Sequence, residues 1–137
     1  MFKKIMSLFL VVVMCFALFV VTASAEDFST FDISSAAKQS TLSFSGTTAT
    51  CKSSYQGTVT VSTIEIVQSL QKKSGLWSWS SVGSESTRTY TNLSNVSFTT
   101  TKPGLLSGTY RVKSEFTVTL NDGTSETVTV YSDEKTL

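Results

Sequence analysis

From Thr41 to Tyr131 apolar and polar residues alternate with a period of two, and turn-forming residues interrupt the alternation about every ten residues. This period is typical of β-strands, whose successive side chains point to opposite faces of a sheet. No window after the first 25 residues has helical periodicity. About seven short strands in about 100 residues predict an all-β, two-layer antiparallel sandwich, immunoglobulin-like or fibronectin-III-like, with a closed barrel as the alternative.

The most β-rich stretch, Thr58–Leu70, changes the phase of its apolar face near Ser62–Thr63. Because a slip of one residue inverts the buried face of a strand, this change predicts a β-bulge or a break. The other predicted strands contain Leu42 and Phe44, Ala49–Tyr55, Trp77 and Trp79, Thr87–Thr91, Val96–Phe98, Tyr110–Leu120 and Val128–Val130. The predicted turns lie at Gly46, Gln56–Gly57, Lys72–Gly75, Gly83–Ser86, Lys102–Gly104 and Asn121–Gly123.

The N-terminus is typical of a secretory signal peptide. Lys3 and Lys4 precede the uncharged apolar run Ile5–Val21, and Ala23 and Ala25 are the small residues that a signal peptidase reads. The run is shorter than the about 20 residues that a membrane span needs, so cleavage after Ala25 is favoured over a retained anchor. We therefore expect a secreted, extracellular protein without stable membrane anchoring. The predicted organisation is a helical signal peptide (1–25), a lead-in segment (26–40) and a β-sandwich domain (41–137).

Composition excludes some partners. Cleavage removes Lys3 and Lys4 from 11 basic residues, which leaves 9 against 10 acidic ones and no basic patch for nucleic acid. Ser and Thr make up 43 of the 112 remaining residues, as expected for the solvent faces of strands.

Cys51 is the only cysteine left, so no internal disulfide forms. Its place in a strand pattern favours a buried thiol, and an intermolecular disulfide or a reactive thiol is the alternative.

The chain carries no recognisable catalytic chemistry. It has no histidine, so a serine-type triad lacks its usual base, and phosphate loops and zinc spacings are absent. Glu65 and Glu115 are the only acids inside strong strand patterns, and we expect both to point to solvent. Asp122 and Asp133–Glu134 are explained by a hairpin and by the terminus as well as by weak calcium binding. We expect no enzyme activity, no cofactor and no metal.

Flat aromatic side chains suggest binding instead. Trp77, Trp79, Tyr55 and Tyr90 are candidate ligand-binding residues, because aromatic rings stack on sugars and anchor protein interfaces. Trp77 and Trp79 share one face of a predicted strand, which a core position explains equally well. We expect a binding or interaction module for a cell-wall or host glycan or a protein surface. The alternatives are a self-associating structural protein with Thr-rich edge strands, and a membrane-active toxin or bacteriocin-like factor inserting the hairpin Phe116–Val130.

Three segments carry a resemblance to a known group. They resemble small secreted proteins of Gram-positive (Firmicutes) bacteria that have no assigned function. The segments are Ile66–Trp77 (which contains Leu70-Gln71-Lys72-Lys73), Gly108–Lys113 and Glu126–Ser132. The resemblance covers roughly Thr47 to Ser132, and it implies a β-sandwich, an extracellular setting and no catalytic residues. Leu106–Tyr110 also looks like the entry to the penultimate strand of immunoglobulin-like and fibronectin-III-like domains, which predicts that the Tyr110 hydroxyl bonds nearby backbone.

Overall fold

One antiparallel sheet contains all the regular structure of residues 36–137, which are the residues that the computed structural model describes. The strands are β1 Ala37–Ser45, β2 Thr48–Lys73, β3 Trp79–Ser81, β4 Ser86–Lys102, β5 Thr109–Thr119, β6 Ser125–Tyr131 and β7 Lys135–Thr136. The main path of the sheet is β1-β2-β5-β6, with β3 and β4 paired to β2 and β7 paired to β5. None of the described residues belongs to a helix, so this part of the chain has no helical segment that could cross a membrane.

Strands β2 and β4 bend together and fold the sheet back on itself. The first half of β2 pairs with β1 and with the second half of β4, whereas its second half pairs with β5 and with the first half of β4. The β2–β4 register shifts between Gln56 and Val61, and Asn92 on β4 has a φ of 53° nearby. Gln68 Nε2 lies 2.7 Å from Ser53 Oγ, although 15 residues of straight strand would separate them by about 50 Å.

The core lies between the two facing halves of the sheet. On β5, alternate residues from Tyr110 to Val118 are fully buried, as a strand with one covered face requires. One apolar cluster lies near the bend, around Tyr55, Ile64 and Phe116, and a second lies around Leu42, Cys51, Leu70 and Tyr110. Between them five polar side chains form a hydrogen-bonded chain: Thr100, Gln68, Ser53, Ser114 and Ser40.

The predicted all-β antiparallel class and the number of strands are confirmed. Two boundaries were wrong. Strand β1 begins at Ala37, inside the predicted lead-in segment 26–40, and β2 runs through the predicted Gln56–Gly57 turn. The predicted strands Thr87–Thr91 and Val96–Phe98 are likewise two parts of β4. The two-layer sandwich and its immunoglobulin-like or fibronectin-III-like detail stay predictions. The predicted signal peptide with Ala23 and Ala25 lies outside the described residues.

Several local predictions are confirmed. The Tyr110 hydroxyl donates to the Leu106 carbonyl at 2.5 Å, as predicted from Leu106–Tyr110. Asn121–Gly123 connects β5 to β6, and the Thr124 N–H donates to Asp122 Oδ1 at 2.8 Å. The Cys51 side chain is buried in the second apolar cluster. The bulge exists, but it lies a few residues before the predicted position at Ser62–Thr63.

Candidate functional site

The loop between β2 and β3 presents two large apolar side chains to solvent. Trp77 is 92% exposed and Leu76 is 82% exposed. A hydrogen bond of 2.9 Å from the Ser74 N–H to the Ser78 carbonyl closes this loop at its base. Burying a tryptophan gives a large favourable free energy, so leaving Trp77 in water gives up stability that folding could have gained. The loop thus carries an apolar tip that the rest of the domain does not cover.

Other exposed apolar residues lie at the same end of the domain. Leu106 is 75% exposed, and its carbonyl accepts a hydrogen bond from the Tyr110 hydroxyl. Tyr110 pairs with Lys72, which lies just before the β2–β3 loop. Tyr131 is exposed at the last position of β6, and this strand pairs with β5. We call the surface of Leu76, Trp77, Leu106 and Tyr131 the hairpin end. The two remaining exposed large apolar residues in the range 36–137, Val59 and Leu93, lie at the bend.

A stack of rings around a guanidinium group borders the hairpin end. The Arg111 guanidinium carbon lies 4.2 Å from the centroid of the Trp79 ring and 4.1 Å from that of Tyr131. Arg111 Nε donates to Gln71 Oε1 at 2.8 Å, which fixes the guanidinium plane. Cation–π contacts at this distance contribute about 0.5–1 kcal/mol each at exposed sites. The contacts of Arg111 therefore link β3, β2, β5 and β6 on this face of the sheet.

Two lysines near the hairpin end form ion pairs. Lys73 Nζ lies 3.4 Å from Glu134 Oε2, and Lys113 Nζ lies 3.0 Å from Glu115 Oε1. The hydrogen bond to Glu115 raises the pKa of Lys113 above its usual value. Each of these two lysines therefore has an acid beside it, whereas the Arg111 guanidinium group contacts two rings and an amide.

The four candidate aromatic residues do not form one platform. Trp77 lies in the β2–β3 loop and not on a strand with Trp79, so the prediction of a shared strand face was wrong, as was the core alternative for this pair. Tyr55 is 1% exposed and belongs to the core, which removes it from the candidates. Tyr90 is half-buried against the first apolar cluster, and its hydroxyl donates to the Ser97 carbonyl at 3.1 Å.

Sequence reasoning missed Leu76, Leu106, Arg111 and Tyr131. The sequence contained a signal for two of them. Arg111 and Tyr131 alternate with apolar residues that predict the buried face, so the alternation places both side chains on the outward face. Leu76 and Leu106 lie in loops, where no periodicity marks which side a residue faces.

Within residues 36–137 no three or more His, Cys, Asp or Glu side chains lie close enough together to hold a metal ion. Glu65 and Glu115 occupy neighbouring positions on β2 and β5, since Glu65 pairs with Thr117 and Glu115 pairs with Val67. They lie on the outward face of the sheet as predicted, and Glu115 forms an ion pair with Lys113.

No protein-family model matches the chain, and no curated protein matches it. Among solved structures it is similar to wild type OgpA from Akkermansia muciniphila, with a TM-score of 0.38 and 14% identity over 70% of this chain and 27% of that chain. Catalytically inactive OgpA in complex with an O-glycopeptide (glycodrosocin) substrate gives a TM-score of 0.35 and 13% identity over 70% and 28%. The chain spans less than a third of the length of OgpA in both, and a likeness this low transfers no property of OgpA to it.

Proposed function

We propose that the chain is a secreted, non-catalytic binding module whose hairpin end docks into an apolar pocket on an extracellular protein partner. The observation that carries the proposal is the concentration of exposed apolar side chains at this end, with Trp77 at 92% exposure. Tryptophan in a desolvated pocket is among the residues that contribute most to protein–protein affinity. Secretion is supported by the signal-peptide pattern of residues 1–25.

A protein partner fits this end better than a glycan does. A sugar-binding platform needs open ring faces and hydrogen-bonding side chains around them, whereas Arg111 covers one face of both Trp79 and Tyr131. The neighbours of the open Trp77 ring include Leu76 in the same loop, and Leu106 adds a second aliphatic side chain at this end. Apolar anchors at the centre and polar side chains at the rim are typical of protein interfaces.

The stack beneath the loop supports tight binding. Association loses affinity when loops and side chains become ordered in the complex. Here the Ser74–Ser78 hydrogen bond and the Trp79–Arg111 contact already fix the loop and the short strand β3 in the free protein. The hairpin end therefore binds with less loss of conformational entropy than a free loop would.

A photo-crosslinking residue at position 77 tests the proposal. Trp77→p-benzoylphenylalanine in the secreted chain should form an adduct with one extracellular protein, which is then purified and titrated against the mature chain. We expect Trp77→Ser to weaken that affinity at least 30-fold, the effect of losing about 2 kcal/mol at a hot spot. Leu93→Ser, which removes an exposed apolar side chain at the bend, is the matched control and should change affinity less than twofold. Adducts only to glycan or lipid, or equal affinity for both variants, would overturn the proposal.

Self-association is the second candidate function, and the outer edge of β4 favours it. Within the described residues β4 pairs only with β2, and its 17 residues carry only two charges, Arg88 and Lys102. An edge with so little charge offers a template for a second strand. Sedimentation that shows a monomer across a hundredfold range of concentration would exclude it. The membrane-active alternative has no comparable support, because the apolar residues Phe116 and Val118 already lie in the core.

A further inference from the structure

A polar groove crosses the outer face of the other half of the sheet, away from the hairpin end. It lies over β1, the first half of β2 and the second half of β4, and has a volume of about 350 Å³. This volume lies at the lower end of the range for small-ligand sites. We call it the amide groove after three of its side chains. The polar residues that line it are Gln39, Lys52, Ser54, Gln56, Asn95 and Ser97.

Strand register brings these side chains together. Gln39 on β1 pairs with Ser54 on β2, and Ser54 pairs with Ser97 on β4. Gln56 and Asn95 form the next outward pair along β2 and β4. Adjacent strands lie about 4.8 Å apart, so the row spans about 10 Å across three strands, the size of two linked sugar rings.

The hydrogen-bonding groups of the groove are not used by the fold. Within residues 36–137 the side chains of Gln39, Gln56 and Lys52 make no hydrogen bond, and Asn95 Nδ2 reaches only the neighbouring Ser94 Oγ at 3.1 Å. Each amide offers two donors and an acceptor. A sugar hydroxyl both donates and accepts, so vicinal hydroxyls match such amides better than purely anionic or purely apolar ligands do.

The position of the groove on the face of the sheet narrows the ligand class. The backbone N–H and C=O groups of β2 beneath it are engaged in pairing with β1 and β4. An extended peptide that adds to a sheet needs free backbone groups at an edge, and this face offers side chains only. The groove has one charged residue, Lys52, and no acid. One cation is too few for a nucleic acid backbone, and it matches a single carboxylate.

We infer that the amide groove binds an acidic oligosaccharide, with the amides of Gln39, Gln56 and Asn95 on its hydroxyls and Lys52 on a carboxylate. This inference is independent of the proposed docking at the hairpin end. The hydrogen bonds are exposed to water, so the site is of modest affinity for a single chain.

Nuclear magnetic resonance on the ¹⁵N-labelled mature chain tests the inference with three probes: tetragalacturonate, neutral cellotetraose and inorganic sulfate. Tetragalacturonate should shift the side-chain amide signals of Gln39, Gln56 and Asn95 and bind at least tenfold more tightly than cellotetraose. Gln39→Ala and Gln56→Ala should each weaken it about tenfold, and Lys52→Gln should remove the preference over cellotetraose. Trp77→Ser and the exposed β1 variant Ser43→Ala should leave the affinity unchanged.

Three results would overturn the inference. One is the absence of amide shifts with both saccharides at 10 mM. Another is equal affinity for the neutral and the acidic saccharide. The third is a shift with sulfate equal to that with tetragalacturonate, which would identify a simple ion site at Lys52. Because Trp77→Ser acts only at the hairpin end, failure of the amide groove is distinguishable from failure of protein docking.

Discussion

The hydroxyl of Ser53 on β2 lies 2.7 Å from the hydroxyl of Ser114 on β5, and both side chains are fully buried. Ser114 donates its one proton to Ser40 Oγ at 2.9 Å, so Ser53 is the donor to Ser114. Gln68 Nε2 in turn donates to Ser53 Oγ at 2.7 Å. A directed chain of hydrogen bonds thus links the two halves of the sheet between the two apolar clusters. No buried side-chain nitrogen or oxygen of residues 36–137 lacks a partner.

Ser114→Ala should destabilise the fold by about 1–3 kcal/mol, because the Ser53 hydroxyl loses its acceptor and Ser40 loses its donor inside the core. Urea denaturation monitored by tryptophan fluorescence measures the free energy of unfolding. The double variant Ser53→Ala/Ser114→Ala should cost less than the sum of the two single variants, since it removes both partners together. The exposed Ser43→Ala is the control, expected within about 0.5 kcal/mol of wild type. Additive costs would show that the two hydroxyls are not coupled.

The periodicity of the sequence predicted the strands, but it did not predict the bend at which β2 and β4 fold the sheet back on itself. Each half of β2 reads as an ordinary strand, and Gln56–Gly57 between them has the composition of a turn. The chain instead stays extended there, because both halves keep β4 as a partner across the register shift. This continuity depends on residues about 40 positions away, which a local window does not contain.

The candidate site was predicted only in part for a related reason. Tyr55 has the same phase as Ala49, Cys51 and Ser53, which are all buried, so the alternation itself places Tyr55 in the core. Its selection as a binding residue followed residue type and ignored this phase. Trp77 was also chosen by residue type, and its exposure follows from where β2 ends, at Lys73. Loop positions have no periodic signal, and their exposure is known only when the strands are placed.

Arg111→Ala should lower stability by about 1–2 kcal/mol, because it removes the contacts to Trp79 and Tyr131 together with the hydrogen bond to Gln71. Arg111→Lys keeps the charge but loses the planar guanidinium, so it should recover less than half of this loss. Lys135→Ala, at an exposed position on β7, controls for the loss of a charge alone. Thermal unfolding by circular dichroism measures the difference. An Arg111→Lys variant as stable as wild type would show that stacking does not contribute.

Gly57→Ala should destabilise the bend. A Cβ atom at this position would lie 3.0 Å from the Tyr55 hydroxyl oxygen and 3.1 Å from its Cε1 atom, which is closer than side chains normally approach. The buried Tyr55 ring has little room to move, so we expect a loss of about 1–3 kcal/mol, the usual cost of overpacking. Gly75→Ala is the matched control, since its nearest neighbours, atoms of Ser78, lie 3.8 Å away. Chemical denaturation measures the free energy of unfolding of both variants. Equal values would show that the Tyr55 ring can move away from the added methyl group.

The Cys51 thiol should be unreactive in the folded protein. Burial raises its pKa above the usual value for a thiol, an effect that a hydrogen bond with Thr100 and the charge of Lys102 only partly oppose. A raised pKa lowers the fraction of thiolate, the reactive form, and burial also keeps reagents away. Ellman's reagent at pH 8 should therefore label native Cys51 at least a hundredfold more slowly than the urea-unfolded chain. Ala49→Gly, which opens space beside Cys51 in the same cluster, should accelerate native labelling. Rapid labelling of the wild type, or a disulfide-linked dimer in non-reducing electrophoresis, would support the reactive-thiol alternative instead.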